Sequence, residues 1–281
     1  MSAGRIAIAG AIAQKPGCAG HVWQFLQYLL GFRALGYEVL LLDRISGPVE
    51  PADARVRWLA DTFAEAGLED AWSLCLDDGR HLGVSRSAAL EFVGDAELLL
   101  DVMGFCSDDD LLGAARRTVF LDTDPGFAQM WQDLGLADLL SHHDAHVTIG
   151  ERIGEADCTV PTCGLRWITT PQPVVLDAWP AAPGGGRGFT SVASWRGAYG
   201  PVDHDGHRYG LRVHQFRRFA QLPALAGGDF ELALDIHPAD AGDANLLREG
   251  GWALVEPRQV ASTPSDYRRM SVRSASDASL A

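Results

Sequence analysis

Apolar and polar positions along the first 150 residues follow the pattern of strands and helices in alternation. Residues 5–10 and 37–42 are near-continuous apolar runs, which is typical of strands covered on both faces of a parallel sheet. Between them, apolar residues recur at three- and four-residue spacing, which predicts an amphipathic helix; these residues are Val22, Phe25, Leu26, Leu29 and Leu30. Strand, helix and strand in direct succession predict one right-handed crossover unit.

The same alternation continues along the chain. Further strands are predicted at residues 72–76, 97–103, 117–122 and 145–150, and helices at 51–67, 85–94 and 125–131. After a break, strands follow at 189–194, 230–236 and 252–256, with helices at 211–222 and 243–249 and a last helix that starts at 265. This order predicts an α/β fold with doubly wound, Rossmann-like sheets.

Proline and glycine divide the chain into parts. Residues 157–188 are rich in both and predict a linker or crossing segment. We therefore expect one lobe over residues 1–156, a partial second lobe over 189–270, and a disordered tail over 271–281. Three strands with two helices cannot cover both faces of a parallel sheet, so the C-terminal lobe is expected to be incomplete. Its open edge predicts a possible homodimer.

Charge and cysteine content restrict the function classes. A net charge of −14 argues against nucleic acid and anionic lipid as partners. The five cysteines are odd in number and show no CxxC spacing, which favours a reduced cytoplasmic protein without a zinc site. No segment reaches the roughly 18–20 apolar residues that a membrane span needs, and the N-terminus lacks a signal-peptide pattern.

Several residues follow the predicted strands at their carboxyl ends, where open α/β sheets bind ligands. Asp122 and Asp124 could bind the hydroxyls of an acceptor substrate, a cationic amino-sugar or a metal ion, although a helix cap at Asp124 is the simpler interpretation. Arg196 could clamp a diphosphate while Gly197 allows close backbone approach, with a solvated loop arginine as the alternative. His237 could bond the same diphosphate or remain a plain loop histidine.

Three other patterns have less specific meaning. Residues 142–144 and 204–207 combine histidine and aspartate but lack a third convincing metal ligand. The acidic run at 108–110 is interpreted as a solvated helix start capped by Ser107. Asp43 ends the second strand, where NAD-binding proteins carry a ribose-binding acid, yet the first loop has no GxGxxG. An NAD(P)-binding protein is therefore the weaker alternative.

Two similar α/β lobes joined by a linker resemble the GT-B class of glycosyltransferases. The resemblance is carried by short motifs at residues 20–21, 34–39, 194–197, 199–202, 237–240 and 251–255, in that order. It implies a nucleotide-sugar donor, a hydroxyl acceptor on a small molecule or glycan, and no further cofactor.

The resemblance also implies roles for individual residues. His21 would be the catalytic base beside Gly20, and the donor would meet Ser194, Arg196, Gly197 and His237. The glycine-rich turn and acidic residue that continue the donor lobe in the family are absent here. A truncated, non-catalytic relative that binds a ligand or partner is therefore the competing hypothesis.

Overall fold

A computed structural model describes residues 3–50, 53–180, 188–197, 199–274 and 276–277 of the chain. The chain divides into two compact units. The first comprises Met1–Pro16 with Trp23–Val175, and the second comprises Gly17–Val22 with Leu176–Ala281. The glycine run at 184–186, which the sequence assigns to the linker, lies outside the described residues.

The first unit contains eight strands among the described residues. They are β1 Gly4–Ala9, β2 Tyr37–Ile45, β3 Trp72–Leu76, β4 His81–Gly83, β5 Leu98–Val102, β6 Thr118–Asp122, β7 Ala145–Thr148 and β8 Trp167–Thr169. The helices are α1 Ala19–Ala34, whose residues up to Val22 belong to the second unit, α2 Ala54–Glu65, α3 Arg86–Asp95, α4 Asp109–Ala114 and α5 Phe127–Asp133. The strands form one sheet in the order β4-β3-β2-β1-β5-β6-β7-β8.

All pairs in this sheet are parallel except β3 with β4. The strand order reverses between β1 and β5, which is the topological switch point where doubly wound sheets bind ligands. Because β8 pairs with β7, the first half of the proline-rich segment belongs to the first unit rather than to a free linker.

The second unit has a smaller parallel sheet. Its elements are β9 Phe189–Ser194, the hairpin strands β10 Val202–His204 and β11 His207–Tyr209, α6 Val213–Arg218, α7 Leu222–Ala226, β12 Phe230–Asp235, α8 Ala241–Glu249, β13 Trp252–Val255, α9 Pro257–Val260, α10 Pro264–Val272 and β14 Ser276–Asp277. The main sheet has the order β13-β12-β9-β14, so the first strand of this unit is again interior.

The second unit differs from expectation in three places. The helix expected over residues 211–222 is interrupted, and α6 and α7 are separate. The hairpin β10–β11 has no counterpart among the predicted elements. Residues 276–277, expected to be part of a disordered tail, pair with β9.

Each unit has its own apolar core. Ala7, Leu40, Leu99 and Leu111 belong to a buried cluster of the first unit. In the second unit the buried cluster consists of Trp195, Val213, Phe216, Ala220, Phe230, Leu232, Leu234, Leu247 and Trp252. Among the described residues no helix is long and apolar enough to cross a membrane.

A buried carboxylate fixes the loop that follows β1. Asp43, near the end of β2, is 5% exposed. Its Oδ2 accepts hydrogen bonds from the backbone N–H groups of Ile12 (2.9 Å) and Ala13 (2.7 Å), and its Oδ1 accepts one from Arg44 (2.6 Å). Its carboxylate is thus committed to the protein backbone, which removes the ribose-binding role on which the NAD(P) alternative depended.

Glycine at position 10 lets α1 pack directly onto this loop. A Cβ at Gly10 would lie 2.6 Å from a ring carbon of Phe25, closer than any real contact allows. Two features therefore hold the end of β1 and the following helix in place. One is the buried carboxylate of Asp43, and the other is the close packing of Phe25 on Gly10.

Burial of Asp43 makes the stability of the protein depend on pH in a defined direction. Desolvation raises the pKa of Asp43 from 3.8 to about 6, although its three backbone hydrogen bonds oppose the shift. Between these values the folded state holds a proton that the unfolded chain releases. We expect the free energy of unfolding to fall by about 2 kcal/mol as pH rises from about 4 to about 6, and Asp43→Asn to remove this dependence in urea titrations followed by circular dichroism.

Asp53→Asn is the matched control for that measurement. The hydrogen bond from Arg55 lowers the pKa of Asp53 to about 2, so its contribution is lost only below about pH 4, as pH falls. If Asp43→Asn keeps the full wild-type change between pH 4 and 6, the buried carboxylate is not its source.

Candidate functional site

His21 lies in the first turn of α1, after the loop that Asp43 holds. The helix begins at Ala19, so His21 is its third residue. Its side chain is half-buried.

Gly20 is a point of close packing. A Cβ at this position would lie 2.9 Å from a ring carbon of Tyr267, which belongs to α10. The backbone N–H of Ala19 also donates to the carbonyl of Ala261 at 3.3 Å. The first turn of α1 is thereby anchored beside α10, and the requirement for glycine next to His21 is explained by packing.

Asp122 is an internal residue of the first unit. It has no exposed surface, and its Oδ2 accepts hydrogen bonds from Gln129 Nε2 (2.6 Å) and Thr148 Oγ1 (2.8 Å). Oδ1 accepts from the backbone N–H of Asp124 at 3.1 Å. Burial raises the pKa of Asp122, and these hydrogen bonds oppose the shift. The carboxylate holds the turn after β6 together, so the expected contact with acceptor hydroxyls has no surface available in this structure.

Asp124 remains at the surface of the same turn. It is exposed, and it does not cap the following helix, because the N-cap of α5 is Gly126. The neighbouring Thr123 accepts a hydrogen bond from Gln24 of α1. Of the two acidic residues that the sequence placed here, Asp124 alone has a carboxylate open to solvent.

Arg196 follows β9 in the second unit, at the carboxyl edge of the parallel sheet. Its Nε donates to Asp240 Oδ2 at 3.0 Å and its Nη2 donates to Asp240 Oδ1 at 2.7 Å. The Arg196 side chain is 65% exposed, while that of Asp240 is 12% exposed. Ser194, at the last position of β9, is exposed on the same edge. The arginine is therefore neither free nor buried, and Asp240 fixes its direction.

His237 lies beyond the end of the neighbouring strand, β12. It is the N-cap of a short 3₁₀ turn, and its Nδ1 accepts the backbone N–H of Ala239 at 3.1 Å. In the neutral imidazole an accepting Nδ1 leaves the proton on Nε2, so the exposed edge of this ring is a hydrogen-bond donor. Gly197 has space around it, since the nearest atom to an added Cβ would be 3.9 Å away.

The metal-like patterns resolve into separate contacts. His143 is buried, and its Nε2 lies 3.1 Å from Asp101 Oδ2, whereas Asp144 accepts from the backbone N–H of Thr118 at 2.7 Å. Within the described ranges, no three His, Cys, Asp or Glu side chains are grouped to hold a metal ion. The acidic run is a helix start, but Asp108 is its cap instead of Ser107.

Two surface cavities lie away from the candidate residues. One of about 420 Å³ is lined by Arg33, Tyr37 and Asp70, among others, and one of about 320 Å³ by Pro48, Leu76 and Arg80, among others. Both belong to the first unit, and none of the candidate site residues lines either one.

Sequence reasoning missed the partners of the candidate arginine. Asp240 is separated from Arg196 by 44 positions, and a second pair of the same kind joins Arg217 to Asp243. The signal in the sequence is that Asp243 starts a predicted helix that follows a strand and that Asp240 lies three residues before it.

Comparison with known proteins supports the fold and gives no sequence-level relative. No protein-family model matches the sequence, and no curated protein matches it. Among solved structures, an alpha-glucosyltransferase in complex with UDP and a 13-mer DNA is 12% identical with a TM-score of 0.51, over 98% of this chain and 71% of that one. An alpha-glucosyltransferase in complex with UDP is 14% identical with a TM-score of 0.51, over 98% and 73% of the two chains.

The expectation that charge excludes nucleic acid as a partner is wrong. A protein of similar fold was solved in complex with DNA. Net charge is a sum over the whole chain and does not describe a local surface. In this chain Arg208, Arg212 and Arg218 are all exposed within one short stretch of the second unit, so a total of −14 excludes no class of partner.

The strand orders of the two sheets resemble each other. In both units the first strand is interior, and the strands next to it on either side are parallel to it. The chain has a GT-B-like fold of two Rossmann-like α/β units.

Proposed function

We propose that this chain transfers a glycosyl group from a nucleotide-sugar to a hydroxyl acceptor. The observation that carries the proposal is the pair of exposed donors, Arg196 and His237, at the carboxyl edge of the parallel sheet in the second unit. The alpha-glucosyltransferases of similar fold were solved with UDP, which agrees with a nucleoside diphosphate as the group to be bound.

The donor side of the reaction requires stabilisation of a leaving diphosphate. Arg196 uses Nε and one N–H of Nη2 for Asp240, and its Nη1 and remaining Nη2 hydrogens stay available to phosphate oxygens. The Nε2–H of His237 supplies a neutral donor beside it. Ser194 and Gly197 border the same edge, where a hydroxyl and a backbone N–H can complete the contacts.

The acceptor side requires removal of a proton. An imidazole group suits a general base at neutral pH, and we assign this role to His21. In the proposed reaction its imidazole takes the proton of the acceptor hydroxyl, the oxygen bonds to the anomeric carbon, and the bond to the diphosphate oxygen breaks. The electron pair and negative charge leave with the diphosphate, which Arg196 and His237 stabilise. In the first unit, the exposed carboxylate of Asp124 remains a separate candidate for binding a substrate hydroxyl.

Calorimetric titration with UDP, GDP, ADP and TDP tests the donor site. We expect at least one of them to bind, and Arg196→Ala to weaken that binding about tenfold or more, because charge-assisted hydrogen bonds to phosphate are lost. Arg248→Ala is the matched control, since Arg248 lies at the far end of α8 and contacts Asn245. Equal affinity in wild type and Arg196→Ala, or no binding of any of the four, contradicts the proposal.

The base assignment predicts a loss of turnover without a loss of binding. With a donor that the wild type uses, His21→Ala should lower kcat by about 10²–10⁴-fold, the usual contribution of general acid–base catalysis. His214→Ala, which removes an exposed histidine of α6, should keep the wild-type kcat, and circular dichroism should show both variants folded. Near-normal turnover in His21→Ala would show that another residue is the base. Diphosphate binding without turnover in the wild type would favour a non-catalytic protein.

A further inference from the structure

A second arginine of the second unit is held in the same way as Arg196. Arg217, in α6, donates from Nε to Asp243 Oδ1 and from Nη2 to Asp243 Oδ2, both at 2.8 Å. In each pair the carboxylate lies along the Nε–Nη2 edge of the guanidinium. This arrangement leaves the Nη1 edge of each arginine pointing away from its carboxylate.

Exposure shows which member of each pair is presented to solvent. The side chain of Arg217 is 46% exposed and that of Asp243 is 17% exposed, the same order as in the pair of Arg196 with Asp240. Among the described residues, neither arginine has a hydrogen bond to its Nη1. The carboxylates therefore occupy the inner side of the cluster, and the guanidinium groups keep unused donors on the outer side.

The two pairs belong to one cluster. Asp240 and Asp243 are three residues apart at the start of α8, which makes them neighbours on its surface at roughly 5–6 Å between Cβ atoms. The buried Trp195, directly before Arg196, packs its ring 5.4 Å from that of Phe216, directly before Arg217. The loop after β9 and helix α6 are thus joined by their own side chains, and each brings one arginine to the beginning of α8.

Asp243 interacts with both arginines. The hydrogen bond from Arg217 lowers the pKa of Asp243, and a hydrogen bond from Trp195 and the charge of Arg196 act in the same direction. Asp243 therefore remains ionised well below neutral pH. Asp240 likewise acts on Arg217 as well as on Arg196, so the four charges form one network.

We infer that Arg217 is the second arm of a two-arginine clamp for a diphosphate, with Asp240 and Asp243 as the positioning residues. The inference rests on the proposed function, because it places Arg217 at the same phosphate site as Arg196. Two guanidinium groups that are each held by a carboxylate can contact two separate phosphoryl groups, whereas one arginine can satisfy a single phosphate. Arg217 is thereby assigned to the discrimination of diphosphate from monophosphate.

The test compares ligands that differ by one phosphoryl group. Calorimetric titrations of the full chain compare the affinity for UDP with that for UMP, and the affinity for inorganic pyrophosphate with that for phosphate. The second comparison does not depend on a nucleobase. We expect Arg217→Ala to lower the affinity for UDP and pyrophosphate about tenfold and the affinity for UMP and phosphate by less than about twofold. Arg217→Lys keeps the charge but lacks the fork, and should still lose most of the preference for the diphosphate.

Arg218 provides the matched control on the same helix. Its guanidinium lies 5.6 Å from the centroid of the Phe219 ring, and it takes no part in the network. Arg218→Ala should therefore leave the ratio of the UDP and UMP affinities, and that of the pyrophosphate and phosphate affinities, at the wild-type value. An equal loss for diphosphate and monophosphate in Arg217→Ala, or no loss of either in a folded variant, overturns the clamp. Wild-type protein that binds neither UDP nor pyrophosphate refutes the proposed donor site itself, and this outcome is distinct from the failure of Arg217 alone.

Discussion

The buried carboxylate of Asp43 is the interaction on which the first unit depends. A parallel sheet positions its strands by backbone pairing, but the loops at its carboxyl edge need their own hydrogen-bond partners because they leave the ladder. Asp43 provides two of them to Ile12 and Ala13, and so joins the end of β2 to the loop after β1. The direction in which the chain enters α1 follows from this contact together with the packing of Phe25 on Gly10.

The same arrangement recurs along the carboxyl edge of that sheet. Asp101 of β5 accepts from the backbone N–H of Cys106 at 2.9 Å, and Asp122 of β6 accepts from that of Asp124. All three aspartates are buried, and burial raises the pKa of Asp43 and Asp122. Acidic residues at these positions suggest ligand contacts when only the sequence is known. In this fold they shape the loops, and the exposed groups nearby are left for binding.

What the sequence could predict follows from how much signal each element carries. The interior strands β1, β2, β5 and β6 are apolar runs that must be buried on both faces, so each could be predicted from composition. The edge strands β4 and β8 and the strand β14 have two or three residues each. They pair through backbone atoms and need no apolar pattern, so the sequence does not reveal them.

For the site residues, the sequence predicts their positions but not their hydrogen-bond partners. The positions of Ser194, Arg196 and His237 after strands could be predicted, because the carboxyl ends of parallel strands share one edge. The hydrogen-bond partners of Asp122 and Arg196 could not be predicted. Gln129, Thr148 and Asp240 lie on other turns, strands and helices, and local spacing in the sequence does not indicate where these elements pack. The sequence therefore locates candidate groups but does not say which of them the fold itself uses.

The bias of this chain towards arginine has a consequence for its chemistry. Lys15 is the sole lysine, so almost every positively charged side chain is an arginine, whose planar guanidinium holds its donors in fixed directions. Pairing with a carboxylate neutralises the charge of either cation, but a guanidinium that gives one edge to a carboxylate keeps donors in a fixed direction on its other edge. Arg196 and Arg217 are both held by their Nε–Nη2 edge. A protein with a strongly negative total charge can in this way keep directed phosphate-binding groups at its surface, because geometry and not net charge decides where an anion is bound.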